Sequence, residues 1–202
     1  MERFNKYLSW AANNQEKAFE LYALNTELSE ALYTPLQMLE VVLRNRVHIV
    51  LTKKYSDRWL HDNSLISNTH QRFKVDKVVA DLTNRKKNPA PGDIVAALTF
   101  GFWTSMFNNE YEILWQQTLN QIGKTKDDKG LTRKNFSGPL TKIRLLRNRI
   151  AHHEPILGYN LPNRYSEILK LIGWMSPAAE EWTIYHSRFS RVYPVNGINL
   201  SQ

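Results

Sequence analysis

"QEKAFELYALNTELSEALYTPLQMLEVVLRNRVHIVLTKKY", Gln15–Tyr55, places apolar residues every third or fourth position along its whole length. That is the period of a helix with one buried face. Two or three helices are expected here. Asn25 or Thr26 has the chemistry to cap the second of them. Thr34 followed by Pro35 has the form of an N-cap and first helical position, opening a helix from about Pro35 to Lys54.

The same period continues outward on both sides. Residues 4–13 read as a short helix, 56–69 as a polar, turn-like segment, and 70–86 as another helix. "RKKNPAPGD" forms a loop, because Pro89, Pro91 and Gly92 break regular structure. Asp93 is the expected N-cap of "IVAALTFGFWTSMFNN", whose aromatics at helical spacing read as core, and a further helix covers about 110–121. Residues 123–138, "GKTKDDKGLTRKNFSG", form a charged connector. Pro139 then opens "PLTKIRLLRNRIAHH", which Pro155 closes. "RYSEILKLIGWM" is amphipathic, and Ser176–Pro177 is an N-cap pair for a last helix to about Phe189. Trp174 and Trp182 read as packing between these last two helices. Strand-like alternation does not persist except near the C-terminal end. The expected class is all-α. No linker rich in Gly, Ser or Pro divides the chain, so residues 1–202 are expected to form a single domain.

Composition narrows the function. At 42% hydrophobic and 11% aromatic, the chain of 202 residues can bury a real core. Lys+Arg number 27 against 19 Asp+Glu, a formal charge of +8. Such an excess serves solubility at least, and points more sharply to a polyanionic partner, of which nucleic acid is the commonest. Cysteine is absent, which excludes disulfides, thiol nucleophiles and Cys-ligated zinc. The N-terminal stretch has no continuous apolar core of a signal peptide, and no apolar run approaches the ~20 residues that span a bilayer. A soluble, cytoplasmic protein without a membrane partner is expected.

Chemistry concentrates in "LRNRIAHHEPIL", Leu146–Leu157. On a helix turning about 100° per residue, with Arg144 at zero, Arg147 falls near −60°, Ala151 near −20°, Asn148 near +40° and His152 near +80°. Ile143, Leu146 and Ile150 occupy a separate apolar face. One side is buried, and the other presents guanidinium, amide and imidazole together. Asn148 and His152, four apart, can touch. A guanidinium matches phosphate oxygens, and an imidazole moves protons near neutral pH. Without paired carboxylates, this set suits phosphodiester cleavage in RNA, where the 2′-hydroxyl is an internal nucleophile and no metal or cofactor is required. The competing structural reading is a solvated basic face, with His152 and His153 capping the last carbonyls before Pro155.

Other groups extend the list of candidates. Glu40, Arg44 and His48 lie in one row on the helix starting near Pro35, with Asn45 beside them. They form either an ordinary helix-surface pair or a buttress in which Glu40 or Asn45 holds Arg147 or His152. Arg144 shares the motif stripe, while Arg149 points elsewhere. Lys124, Lys126, Lys129, Arg133 and Lys134 on the connector form either a solvated loop or a patch that tracks RNA. Adjacent "HHE" residues diverge on a helix and lack metal-ligand spacing. "GKT" at 123–125 lacks the upstream glycine of a phosphate loop. "LRNR" occurs at 43–46 and again at 146–149 without flanking similarity.

"LRNRIAHHEPI" resembles the signature of the Abi-like (abortive infection) branch of the HEPN superfamily. That motif is an Arg, a polar residue and a following His, which Arg147, Asn148 and His152 fit with four intervening residues and His153 with five. "ELYALNTELSEALYTPLQMLEVVLRNRVH" is similar to the N-terminal segment of Abi-like proteins, and "DIVAALTFGFWTSMF" to their middle segment. The likeness runs from about residue 15 to 190. It implies a HEPN-like helical bundle with additional helices, acting as a metal-independent endoribonuclease in bacterial antiphage defence or a toxin–antitoxin system. It also implies a homodimer with a composite site and an RNA or protein antitoxin as cognate partner. His152 would be the general base or acid, Arg147 the phosphate-stabilising group and Asn148 the orienting one, with His153 the alternative imidazole. Some superfamily members with intact motifs only bind RNA, which leaves a non-catalytic RNA-binding protein as the rival.

Overall fold

The computed structural model describes residues 2–85, 88–125, 127 and 129–200, and among them all regular structure is helical. α1 (Glu2–Trp10) leads into α2 (Gln15–Lys54), a single helix of 40 residues, about 60 Å long. The expected breaks within this stretch do not occur. The Asn14 side chain caps α2, accepting the Lys17 N–H at 3.0 Å. Thr26 is mid-helix and donates its hydroxyl to the Tyr22 carbonyl at 3.1 Å. Pro35 lies inside α2 and is buried. It lacks the N–H that would reach the Ala31 carbonyl, a defect of about 3 kcal/mol in a helix interior. The helix continues because Leu28, Leu32, Leu39 and Leu43, all at 0% exposure, flank the proline on one stripe. Each contributes roughly 1.5–3 kcal/mol of burial, and together they outweigh the defect.

α3 (Thr69–Arg85) follows a one-turn 3-10 segment at Trp59–His61. The helix expected from Asp93 onward is two helices, α4 (Pro91–Ala97) and α5 (Phe100–Ser105), with Thr99 capping the second. Asp93 is not the cap of α4. It sits in the first turn and accepts the Ala90 N–H at 3.0 Å. α6 (Glu112–Ile122) occupies the expected place. α7 (Arg133–Ala151) starts a turn and a half earlier than Pro139, because Asn135 Oδ1 accepts the Thr132 N–H at 2.7 Å and closes the N-terminus there. Pro139 is tolerated inside it because Phe136, Leu140, Ile143 and Leu146 bury fully. α8 (Leu161–Met175), α9 (Pro177–His186) and α10 (Phe189–Val192) complete the chain, with Ser176 capping α9 as expected.

α2 is the spine, packing against α1, α4, α5, α6, α8, α9 and α10. α7 packs on α5, α6 and α8. The aromatic segment reads correctly as core: Phe102, Trp103 and Phe107 are buried, and Phe107 stacks on Trp115 at 4.6 Å and on Phe136 at 5.2 Å. Trp174 meets Phe136 edge-on at 5.7 Å. Trp182 does not join this packing and is 46% exposed. Among the described residues, no helix is long and apolar enough to cross a membrane.

Candidate functional site at the end of α7

Both histidines of the motif lie beyond the last helical residue, in the turn that terminates α7. His152 is the C-cap (φ −97°), and its amide donates to the Asn148 carbonyl at 2.9 Å. His153 adopts φ +54°, with its N–H on the Ile150 carbonyl at 3.0 Å, while the Glu154 N–H reaches the Arg149 carbonyl at 2.8 Å. This pair of reversed hydrogen bonds is a Schellman turn, which normally places glycine where His153 stands. The two imidazoles therefore leave the chain from different backbone conformations.

The turn is pinned from behind by α2. Asn25, only 6% exposed, turns its side-chain oxygen onto the Ile156 N–H at 2.7 Å. Asn25, one of two residues whose chemistry suits a helix cap, instead holds this distant amide. The available signal was an amide inside the apolar row Leu21, Leu28 and Leu32. Arg149 adds a second restraint, pairing with Glu154 at 3.1 Å and lying 5.3 Å from the centre of the Tyr159 ring.

Of the motif residues, Asn148 and His152 are exposed and Arg147 is half-buried. Arg147 lines a cavity of about 180 Å³ between α2 and α7, together with Tyr33, Gln37 and Glu40 of α2 and Ala151 of α7. Glu40 is thus brought to the motif helix. Arg144 is half-buried on α7. The rest of the α2 row goes elsewhere. Arg44 donates to the Ala96 carbonyl at the end of α4 (3.4 Å), and Asn45 is exposed more than a turn beyond Glu40. His48 accepts the Trp59 indole N–H on Nδ1 at 3.0 Å, and burial lowers its pKa below the ordinary 6.5. Arg46 donates to the Gln121 and Ile122 carbonyls at 2.8 and 3.2 Å. The first "LRNR" therefore holds the C-terminal ends of α4 and α6, a structural task distinct from that of its echo.

Arg133 does not belong to a basic patch on the connector. Arg133 is buried at 5% exposure, and its guanidinium is taken up by the Glu112 carboxylate, the Phe107 carbonyl and the Asn109 side chain. It is a structural residue of α7's first turn and is not available to RNA. Lys124 and Lys134 are exposed, and Lys126 lies outside the described residues. Gly123 is needed for a close approach, since a Cβ there would lie 2.6 Å from the Trp174 carbonyl oxygen. Among the described residues, no three His, Asp or Glu side chains gather as a metal-holding group.

Residues 2–158 match the family model of Abi-like protein. The chain belongs to the Abi-like protein family. The match places it with the abortive-infection proteins. No curated protein and no solved structure matches the chain. The matched segment of this Abi-like protein runs from α1 through α7 and ends just past the Schellman turn. It contains the motif residues, Asn25 and Glu40, while Tyr159 lies one residue beyond it. α8–α10 lie beyond it; all three pack on α2, and α8 also packs on α7.

Proposed function

We propose that this Abi-like protein is an endoribonuclease of the HEPN type that limits infection by cleaving RNA without a metal. The observation that carries the reading is the arrangement at the end of α7. Asn148 on α7 and His152 at its C-cap are exposed to solvent, and Arg147 of the same helix is half-buried in a cavity that Glu40 also lines. A half-buried guanidinium is partly desolvated and acts more strongly on a phosphate than an exposed one.

In the reaction, the 2′-oxygen bonds to phosphorus as its proton passes to an imidazole, and the bond from phosphorus to the 5′-oxygen breaks as that oxygen takes up a proton. His152 serves one of these transfers. Arg147 stabilises the doubly charged phosphorane, and Asn148 orients the phosphate or the imidazole. A second copy of the chain would bring a second His152 for the other transfer. Leu145 and Tyr33, 53% and 64% exposed on α7 and α2, are apolar surface on the two helices that carry the motif and the Arg147 cavity. An RNA or protein antitoxin that covered this face would hold the enzyme silent.

The test is cleavage of single-stranded RNA by the purified chain in EDTA, beside His152→Ala and Arg147→Ala. His152→Ala should lose about 10²-fold or more in rate, the usual contribution of a positioned acid or base, while binding RNA nearly as tightly. Wild-type protein that binds RNA without cleaving it would support the non-catalytic RNA-binding reading instead.

A further inference from the structure

A second cavity lies on the other side of the Schellman turn, where α1 meets the loop after α7. It has a volume of about 580 Å³ and is lined by Lys6, Trp10, Arg149, Pro155, Gly158 and Tyr159. Its two walls repeat one chemical unit. On α1, the Lys6 ammonium sits 5.1 Å from the centre of the Trp10 ring. On the loop, the Arg149 guanidinium sits 5.3 Å from the centre of the Tyr159 ring. Gly158 sets the approach of the walls, since a Cβ there would lie 3.3 Å from the edge of Trp10.

Neither ring is fully buried, although Trp10 also meets the core through Tyr7 edge-on at 5.7 Å. Tyr7 is the α1 aromatic that buries, at 1% exposure, whereas Tyr159 is 38% exposed and Trp10 half-buried. Two flat apolar faces with a cation beside each suit a ligand that is itself flat, aromatic and anionic. A nucleobase stacks on such faces whatever its identity, and its phosphate meets the cations. An acidic peptide would satisfy Lys6 and Arg149 but leave the rings unused. Glu154 engages one edge of Arg149 at 3.1 Å, and the guanidinium has further N–H donors for a phosphate.

We propose that this cavity is a nucleotide subsite for single-stranded RNA. One base is held by Trp10 and Tyr159, and the adjoining phosphate by Lys6 and Arg149. Arg149 and His152 stand three positions apart at the end of α7, the spacing that makes helix side chains neighbours, so a strand whose scissile phosphate lies at His152 has a neighbouring nucleotide on the side of the cavity. The subsite rests on the RNA reading of the motif, and accounts for how the strand is gripped and oriented there.

The experiment measures binding of a 2′-O-methylated oligoribonucleotide, which cannot be cleaved by 2′-oxygen attack. The chain is tested as wild type, Arg147→Ala, Tyr159→Ala, Tyr159→Phe and Lys6→Ala, each checked for an unchanged melting midpoint. A parallel sample carries 5-iodouridine for photocrosslinking, with the attachment mapped by mass spectrometry. Tyr159→Ala should weaken binding about 5-fold or more, the effect of losing one stacked base, and Tyr159→Phe should restore it. Lys6→Ala should weaken binding and reduce its salt dependence, and crosslinks should fall on Trp10 or Tyr159. If Arg147→Ala weakens binding while Tyr159→Ala and Lys6→Ala leave it unchanged, the subsite is wrong and the motif reading stands. If wild type does not bind the oligonucleotide at all, the motif reading falls and takes the subsite with it. A free mononucleotide that binds as tightly as the oligonucleotide would also overturn the proposal, because the cavity would then serve a soluble ligand and not a strand.

Discussion

Asn25 and His153 show how single residues carry the geometry of this site. The Asn25 amide in the apolar stripe of α2 accepts the Ile156 N–H from 131 positions away and anchors the turn that holds both histidines. Removing it leaves a buried N–H without a partner, so Asn25→Ala should lose about 1–3 kcal/mol of stability in urea denaturation. The loss of cleavage should exceed what that destabilisation explains, and unchanged stability would show that water replaces the amide. His153 stands in the left-handed region at φ +54°, a conformation that disfavours a side chain by roughly 1–2 kcal/mol. His153→Gly should therefore raise the melting midpoint. It should also keep RNA cleavage if His152 is the working imidazole, whereas loss of cleavage would transfer that role to His153. In the sequence only spacing separates the two histidines, and it favours His152, four residues from Asn148. The backbone at the end of α7 separates them further, and no local pattern announces a Schellman turn without its glycine.

Helical period was legible for nearly every element, and so was the Ser176 cap of α9, but the starts of α2 and α7 were not. α2 and α7 each run through a proline that local rules place at a helix start. Those rules weigh the missing N–H of Pro35 and Pro139 but not the leucines buried on both sides of Pro35, nor Phe136 before and Leu140, Ile143 and Leu146 after Pro139. The same gap hid Arg133. In a run of polar residues it reads as one cation among several, yet the start of α7 buries it against Glu112, Phe107 and Asn109. Arg133→Met should lower stability by about 3 kcal/mol, since it strips partners from a part-buried carboxylate and a buried carbonyl. Lys134→Met, one residue on and exposed, should leave the melting midpoint unchanged. Equal effects of the two substitutions would contradict the placement of α7's first turn.

Across the molecule, α2 joins the site to the rest of the fold. Glu40 faces the motif cavity, Arg46 closes the end of α6, and His48 holds Trp59. His48 makes the fold pH-sensitive in a defined direction. Burial lowers its pKa in the folded chain below 6.5, so the unfolded chain takes up the proton first. Its contribution to stability is complete above the ordinary histidine range and is lost as pH falls from 6.5 toward the lower folded value. His48→Gln, which can still accept the indole N–H, should flatten that part of the stability profile relative to wild type. Class, motif helix and family resemblance were all readable from sequence, because each rests on local period or spacing. The Asn25 anchor and the cavity between Trp10 and Tyr159 were not, because each joins segments far apart in the chain.

The chemistry of the product ends reports directly whether the α7 terminus cleaves RNA through the 2′-hydroxyl. RNA digested by the wild-type chain in EDTA should carry 2′,3′-cyclic phosphate and 5′-hydroxyl ends, and His152→Ala should yield neither. Products with 5′-phosphate and 3′-hydroxyl ends would contradict that route, because they require an external water to attack phosphorus and the 3′-oxygen to leave.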